Sequence, residues 1–216
     1  MSRPDMFKHI KGIIWDWNGT LLDDAGLAVE TMNGMLAQRN LPELSIDHYK
    51  QVFTFPVKDY YQKIGFDFER EPFEIPAREF IDRYNELVND CRLHPDSVSI
   101  LNRFRFSGIR QFILSAMKQD TLDHCLSHYQ INHFFEQVSG LDDHYAVSKT
   151  ENGQRLISGL DLDSSQLILI GDTVHDFEVA TELGCQCVLV ANGHQSKTVL
   201  QQTGTLVIDQ LSQLLI

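Results

Sequence analysis

The chain has 216 residues, 43% of them hydrophobic and 22% charged, and 30 acids against 18 Lys+Arg leave a net charge of −12. That length and apolar content fit one domain of average size or a domain with an inserted module. The acidity argues against a nucleic-acid partner, whose phosphates it would repel, and it admits a small anionic substrate only where a local cation reverses the sign.

The stretch Met1 to Lys11 mixes charged and apolar residues and lacks the apolar run of a secretory signal. Ile10 to Trp15 is a short apolar run broken at Asp16-Trp17-Asn18-Gly19-Thr20, a buried strand ending in a polar loop. From Asp24 to Asn40 the period becomes helical, with Ala25, Ala28, Met32, Met35 and Leu36 in register and Asp23 or Asp24 as the cap. Val57, Tyr60, Tyr61 and Ile64 form another helical stripe, stopped by Gly65. A third helix opens at Pro76 and carries Ala77, Phe80, Ile81, Tyr84, Leu87, Val88 and Cys91 on one face. Residues 22–92 therefore read as all-helical.

After His94-Pro95 strands and helices alternate. Strands are expected at Gln111–Leu114, Phe134–Ser139, Gln166–Ile170, Cys187–Ala191 and Leu206–Ile208. Helices are expected from Ser115 to about His128, over Gln154–Leu160 and over Phe177–Leu183. Such alternation implies a parallel sheet with helices on both faces. The expected fold is an α/β doubly wound, Rossmann-like core of residues 1–21 and 93–216, with an inserted helical cap of residues 22–92. No apolar run approaches the ~18–20 residues of a membrane span. Cys91, Cys125, Cys185 and Cys187 show no CxxC spacing, so a reduced, cytoplasmic protein is expected.

Ligands of an open parallel sheet bind at the carboxyl ends of its strands. Those ends hold Asp16, Ser115 and Asp172, with Asp176 four residues further on and Lys149 ahead of the helix leading to Asp172. Taken singly, each has a plain reading as turn, cap or surface residue. Jointly they fall where one pocket would form.

At these residues the chain resembles the haloacid dehalogenase superfamily of phosphotransferases. Asp16-Trp17-Asn18-Gly19-Thr20 is similar to its first motif, Asp-x-Asp-Gly-Thr, and Leu114-Ser115 to its second. Lys149 is similar to the third, and Gly171-Asp172-Thr173-Val174-His175-Asp176 to the fourth. The helical insertion resembles the cap of the phosphoglycolate phosphatase-like branch. The resemblance implies a phosphatase acting on a small phosphorylated metabolite. Asp16 would be the nucleophile that forms an aspartyl phosphate. Mg²⁺ would be held by Asp16, the backbone carbonyl of Asn18 and Asp172, with Asp176 behind a bound water. Ser115, Lys149 and the backbone N–H groups near Trp17, Asn18 and Ala116 would grip the phosphoryl oxygens.

Two positions depart from the pattern. Asn18 stands where phosphatases of this kind carry a second aspartate, the general acid that protonates the leaving oxygen, and Ala116 replaces an asparagine common after the motif serine. General acid–base help is worth roughly 10² to 10⁴ in rate. Asn18→Asp is accordingly expected to raise monoester hydrolysis. The same substitution leaves two further readings open. One is a phosphonoacetaldehyde hydrolase-like enzyme using a Schiff base on Lys50, Lys58 or Lys63. The other is a phosphate-binding regulatory protein with weakened turnover. His175 reads as an exposed loop residue, and Gly193 to Thr198, which ends superficially like a P-loop, lacks the glycine that motif needs before its lysine.

Overall fold

The apolar runs build a parallel sheet in the computed structural model, which describes residues 7–141 and 148–214. In chain order the strands are β1 (Gly12–Trp15), β2 (Leu22–Asp23), β3 (Arg92–Leu93), β4 (Arg110–Lys118), β5 (Gln137–Leu141), β6 (Leu167–Gly171), β7 (Gln186–Val190) and β8 (Leu206–Ile208). Strands β2 and β3 pair antiparallel as a separate ribbon. The other six form one sheet in the order β5-β4-β1-β6-β7-β8, with every pair parallel. This is the doubly wound core that the alternation predicts.

Helices α1 (Ala25–Gln38), α2 (Ile46–Val52), α3 (Val57–Lys63) and α4 (Glu74–Leu87) lie between β2 and β3. Helices α5 (Ser97–Phe106), α6 (Gln119–His128), α7 (Lys149–Ser158), α8 (Val174–Leu183) and the short α9 (Lys197–Leu200) alternate with the sheet strands. The period-two geometry of a strand sorts side chains onto two faces. Ile13, Trp15, Ile113, Ile168 and Ile170 pack with Ile100 and Leu101 of α5 and Leu122 of α6. Ile14, Phe112, Leu114 and Leu169 pack on the other face with Leu156 of α7 and Val179 of α8. Burying both faces explains why the strands read as nearly continuous apolar runs.

The helices between β2 and β3 have a core of their own, built from Met32, Met35, Leu36, Tyr49, Tyr60, Tyr61 and Phe66. The stripe read on α1 is buried throughout: Ala25, Ala28, Met32, Met35 and Leu36 all point inward.

Several boundaries differ from expectation. Residues 22–92 are not wholly helical, because β2 opens the segment and Arg92 begins the returning β3. Pro76 is the third residue of α4, inside the first turn where its missing N–H costs nothing. The α4 stripe ends early: Leu87 is exposed and the chain passes into a 3₁₀ turn over Val88–Asp90. Strand β4 does not stop at Ser115 but runs to Lys118, with its register on β5 shifting between Leu114 and Lys118. Phe134 belongs to a 3₁₀ turn, and the strand that follows begins at Gln137. Helix α7 starts at Lys149, five residues before its first expected residue, because Ser148 caps it with a full capping box to Glu151.

Candidate active site

Strand β1 lies between β4 and β6, so three carboxyl ends converge on one place. Asp16 follows the last residue of β1, and its N–H donates to the Ile170 carbonyl at 2.9 Å, which holds it in register with β6. The loop then turns at Gly19, whose φ of +74° is in the left-handed region. A Cβ there would also collide with the Asp172 carboxylate. Thr20 Oγ1 ties the two acids together, 3.3 Å from Asp16 Oδ2 and 3.1 Å from Asp172 Oδ1.

Asp176 uses both carboxylate oxygens. Oδ2 accepts from Thr173 Oγ1 at 2.7 Å, Thr173 N–H at 3.0 Å and Asp172 N–H at 3.2 Å, which makes it the far half of the α8 capping box. Oδ1 accepts from Lys149 Nζ at 2.6 Å, and the same ammonium donates to Asp16 Oδ1 at 2.5 Å. One side chain thus ends a helix and faces the pocket. Lys149 is buried rather than solvated, placed by the capping of α7 directly beneath the two acids.

Ser115 is fully buried, and its Oγ accepts the Met117 N–H at 3.0 Å. Ala116, at the shifted register of β4, faces outward and lines the cavity. Trp17 is buried in the core against Tyr129, with ring centroids 5.9 Å apart, so its indole stands apart from the cavity lining. The structure therefore brings Asp16, Asn18, Ala116, Lys149, Asp172 and Asp176 to one cavity of about 230 Å³, and puts the side chains of Trp17 and Ser115 behind it.

The electrostatics are those of a crowded anionic site. One ligand oxygen from each of Asp16, Asp172 and Asp176 lies within 4.8 Å of the others. Burial pushes the Asp16 carboxyl well above its usual range, and the neighbouring Asp176 and Asp172 push the same way against Lys149. Burial and Asp176 raise Asp172 to about 6. Burial alone would depress the Lys149 ammonium, but Asp16 and Asp176 hold it above its ordinary value. Burial would also raise Asp176, yet Lys149 and Thr173 keep it below the usual carboxylate range. Asp16 and Asp176 share the Lys149 ammonium while Asp172 takes the Thr20 hydroxyl and the His194 N–H, and an all-oxygen donor set of these three acids suits a hard divalent cation such as Mg²⁺.

Sequence reasoning missed a second group above this floor. Asp24 occupies the N-cap position of α1, as expected, but makes no capping hydrogen bond. Its Oδ1 accepts the Gly19 N–H at 2.7 Å and lies 3.3 Å from His194 Nε2. Its Oδ2 accepts from Tyr84 Oη at 2.5 Å and from Asn18 Nδ2 at 3.0 Å. Burial would raise Asp24, but His194, Tyr84 and Asn18 hold it below the usual range. Burial would lower His194, yet Asp24, Asp172 and Asp16 raise it to about 9. His194 also donates its backbone N–H to Asp172 Oδ2 at 2.6 Å, and its Nδ1 meets Tyr49 Oη at 2.8 Å. The strand-end rule that singles out Asp16 also covers residues 191–196 after β7, and applying it there would have found His194.

His175 is not a loop residue: it sits in the first turn of α8, lines the cavity and stacks on Phe55 with centroids 4.7 Å apart. Lys50 donates to the Asn192 carbonyl, and Lys58 lies over the Phe68 ring. Among the described residues, neither of them nor Lys63 lines the cavity, so nothing in the geometry supports the Schiff-base reading.

The sequence profile of the haloacid dehalogenase-like hydrolases matches residues 13–190. The chain belongs to this family. It is 26% identical over 204 residues to a phosphoglycolate phosphatase of Caulobacter vibrioides, covering 91% of this chain and 85% of that protein. It is 24% identical over 201 residues to an N-acetylmuramic acid 6-phosphate phosphatase of Pseudomonas putida, covering 86% and 85%. Among solved structures, a haloacid dehalogenase-like hydrolase from Bacteroides fragilis superposes with a TM-score of 0.82 at 19% identity, covering 95% of this chain and 100% of that one.

Proposed function

We propose that this hydrolase is a Mg²⁺-dependent phosphatase that releases phosphate from a small phosphorylated metabolite through an aspartyl phosphate on Asp16. The observation that carries the reading is the convergence of Asp16, Asp172 and Asp176, at and just past the ends of the adjacent strands β1 and β6, with Lys149 from the start of α7 on one buried cavity floor. The named activities of the relatives from Caulobacter vibrioides and Pseudomonas putida support it.

In this reading residues 22–92 are a cap over a core formed by residues 1–21 and 93–216. Asp16, the Asn18 carbonyl and Asp172 would hold the cation, with Asp176 behind them. When bound, the cation offsets the charge of the phosphoryl oxygens and so lets a carboxylate approach them. Asp16 then attacks phosphorus in line with the departing oxygen, and water later displaces the phosphoryl group from Asp16. Lys149 supplies compensating positive charge, and the N–H groups of Trp17, Asn18 and Ala116 position the phosphoryl oxygens, with Ser115 behind them holding the Met117 N–H rather than touching the phosphoryl group as the resemblance implies. The cap excludes bulk water while the bond breaks. Lys149 is well fitted to this work because Asp16 and Asp176 keep it charged and fixed.

The test is phosphate release from a panel that includes 2-phosphoglycolate, N-acetylmuramic acid 6-phosphate and acetyl phosphate, with Mg²⁺ and with EDTA. Mg²⁺-dependent release that disappears in Asp16→Asn is the expected result. Release unaffected by EDTA, or retained in Asp16→Asn, would overturn the mechanism.

A further inference from the structure

The half of the cavity contributed by residues 22–92 is apolar and aromatic. Met32, Phe53, Tyr60, Phe80 and Ile81 line it, and Phe55 closes one side against His175. Among the described residues, no Lys or Arg of this segment reaches the lining. The two lysines that do, Lys149 and Lys118, come from the other side of the cavity and are paired with Asp16 and Asp176, and with Asp120. The acid on this wall is Asp24, a buried carboxylate. His194, the cation beside this wall, is already paired with Asp24 at 3.3 Å, so a leaving group bearing its own carboxylate would have to compete with Asp24 for it across an apolar space, which is costly.

A second observation concerns the departing oxygen. The Asn18 amide nitrogen lies 3.0 Å from Asp24 Oδ2 and 2.8 Å from Tyr84 Oη, the Tyr84 hydroxyl is itself given to Asp24, and a carboxamide is no general acid. Position 18 therefore offers the leaving oxygen no proton. A leaving group that departs as a stable anion needs none, and a phenolate, with a conjugate acid near ~10, is far better than an alkoxide in this respect.

Resting on the phosphatase reading, we infer that the substrate is an aryl monophosphate: an uncharged aromatic ring, esterified through its phenolic oxygen, seated against Met32, Phe53, Tyr60 and Phe80. A cavity of roughly 150 Å³ is enough for benzene, so about 230 Å³ accommodates one ring together with its phosphoryl group. Rings packing edge-to-face or offset on such a wall gain attraction beyond area burial. The chemistry balances without a protein acid. The Asp16 carboxylate forms a bond to phosphorus as the aryl oxygen–phosphorus bond breaks, and the phenolate leaves with the electron pair and is protonated by solvent. Water then attacks the aspartyl phosphate, which yields inorganic phosphate, frees the carboxylate and returns one proton.

The experiment compares kcat/KM of the full chain with Mg²⁺ on phenyl phosphate, 2-phosphoglycolate, glycerol 3-phosphate and acetyl phosphate. Phenyl phosphate is expected to exceed 2-phosphoglycolate and glycerol 3-phosphate by at least tenfold. In Phe80→Leu, which keeps apolar volume but removes the ring, KM for phenyl phosphate is expected to rise at least fivefold more than KM for acetyl phosphate. Release from acetyl phosphate or 2-phosphoglycolate with phenyl phosphate no better than the alkyl esters would overturn the aryl assignment and leave the phosphatase reading intact. No release from any of the four would overturn both. The wild-type comparison stands whether or not the variant folds.

Discussion

The carboxamide nitrogen of Asn18 lies 3.0 Å from a carboxylate oxygen of Asp24, and that same oxygen accepts the Tyr84 hydroxyl at 2.5 Å. Asn18 is therefore more than an aspartate that lost its charge. Its amide is a donor required by a buried acid six residues later. Restoring an aspartate at position 18 would set two carboxylates against each other in a site shielded from water. We predict that Asn18→Asp alone fails to raise alkyl monoester hydrolysis and lowers the melting temperature, which revises the expectation drawn from sequence. Asn18→Asp combined with Asp24→Asn reverses the donor and acceptor and should raise glycerol 3-phosphate turnover above wild type, by a factor within the roughly 10² to 10⁴ that general acid help supplies. Steady-state rates of the two variants decide it, and equal rates would remove the coupling.

Lys149 carries the next prediction. Its ammonium bridges Asp16 and Asp176, all three buried. Breaking a buried pair by removing one partner costs about 3–5 kcal/mol because the other charge is stranded. Lys149→Met should accordingly lower stability by that order in EDTA, and Mg²⁺ should recover part of it by binding the native site. The expected signature in thermal melts is a Mg²⁺-induced rise larger in Lys149→Met than in wild type. A Mg²⁺ response unchanged by the substitution would show that the cation binds elsewhere.

The sheet and the floor of the site were legible because strand-forming runs and the polar breaks after them are local features. Asp16, Asp172 and Asp176 follow from listing what ends each strand, and Lys149 from the polar stretch ahead of the helix leading to Asp172, of which it proves to be the first residue. The upper network was hidden because its bonds span 145 residues between Tyr49 and His194, and 66 between Asn18 and Tyr84. Tyr84 read as one member of a helical stripe, and nothing in a 3.6-residue period separates a residue facing a core from one facing a cavity. Asp24 read as a cap for the same reason: the position was right, but its carboxylate is spent on Gly19, Asn18, Tyr84 and His194. Capping of α7 by Ser148 was readable from the Ser-x-x-Glu spacing, which would have corrected the start of that helix.

Gly193 marks where the loop after β7 closes on the site. A Cβ at this position would overlap the Asp172 carboxylate and the Gly19 carbonyl, one side chain and one backbone atom that the fold cannot easily move. Gly193→Ala should displace Asp172 and loosen the His194 N–H bond to it. The predicted result is a fall in kcat/KM of at least tenfold together with a weaker Mg²⁺ response, by steady-state kinetics and Mg²⁺ titration. Gly204→Ala is a control, since a Cβ there meets open space although its φ of +75° is strained. It should cost stability and leave the Mg²⁺ response unchanged.

Arg39 holds the helical insertion together at a distance from the chemistry. Its Nε and Nη2 donate to both oxygens of Glu71 at 2.7 and 2.9 Å, Nη2 reaches Glu79 of α4 at 2.8 Å, and Nη1 caps the Met35 carbonyl at 3.0 Å. The guanidinium also lies 5.2 Å from the centroid of Phe66. The hydrogen bonds from Arg39 hold Glu71 below its ordinary value. A carboxylate depressed in the folded state contributes stability above its unfolded pKa of about 4.3, and loses it as pH falls through the lower folded value. Exposed pairs are worth ~0–1 kcal/mol and this one is only partly buried, so Arg39→Met should cost about 1 kcal/mol near pH 7. The difference between wild type and Arg39→Met should shrink as pH falls from the unfolded value of about 4.3 through the lower folded value of Glu71, below which Glu71 is protonated in both. Urea melts at the two pH values measure it. A difference unchanged on acidification would mean that Arg39 acts through its packing on Phe66 rather than through Glu71.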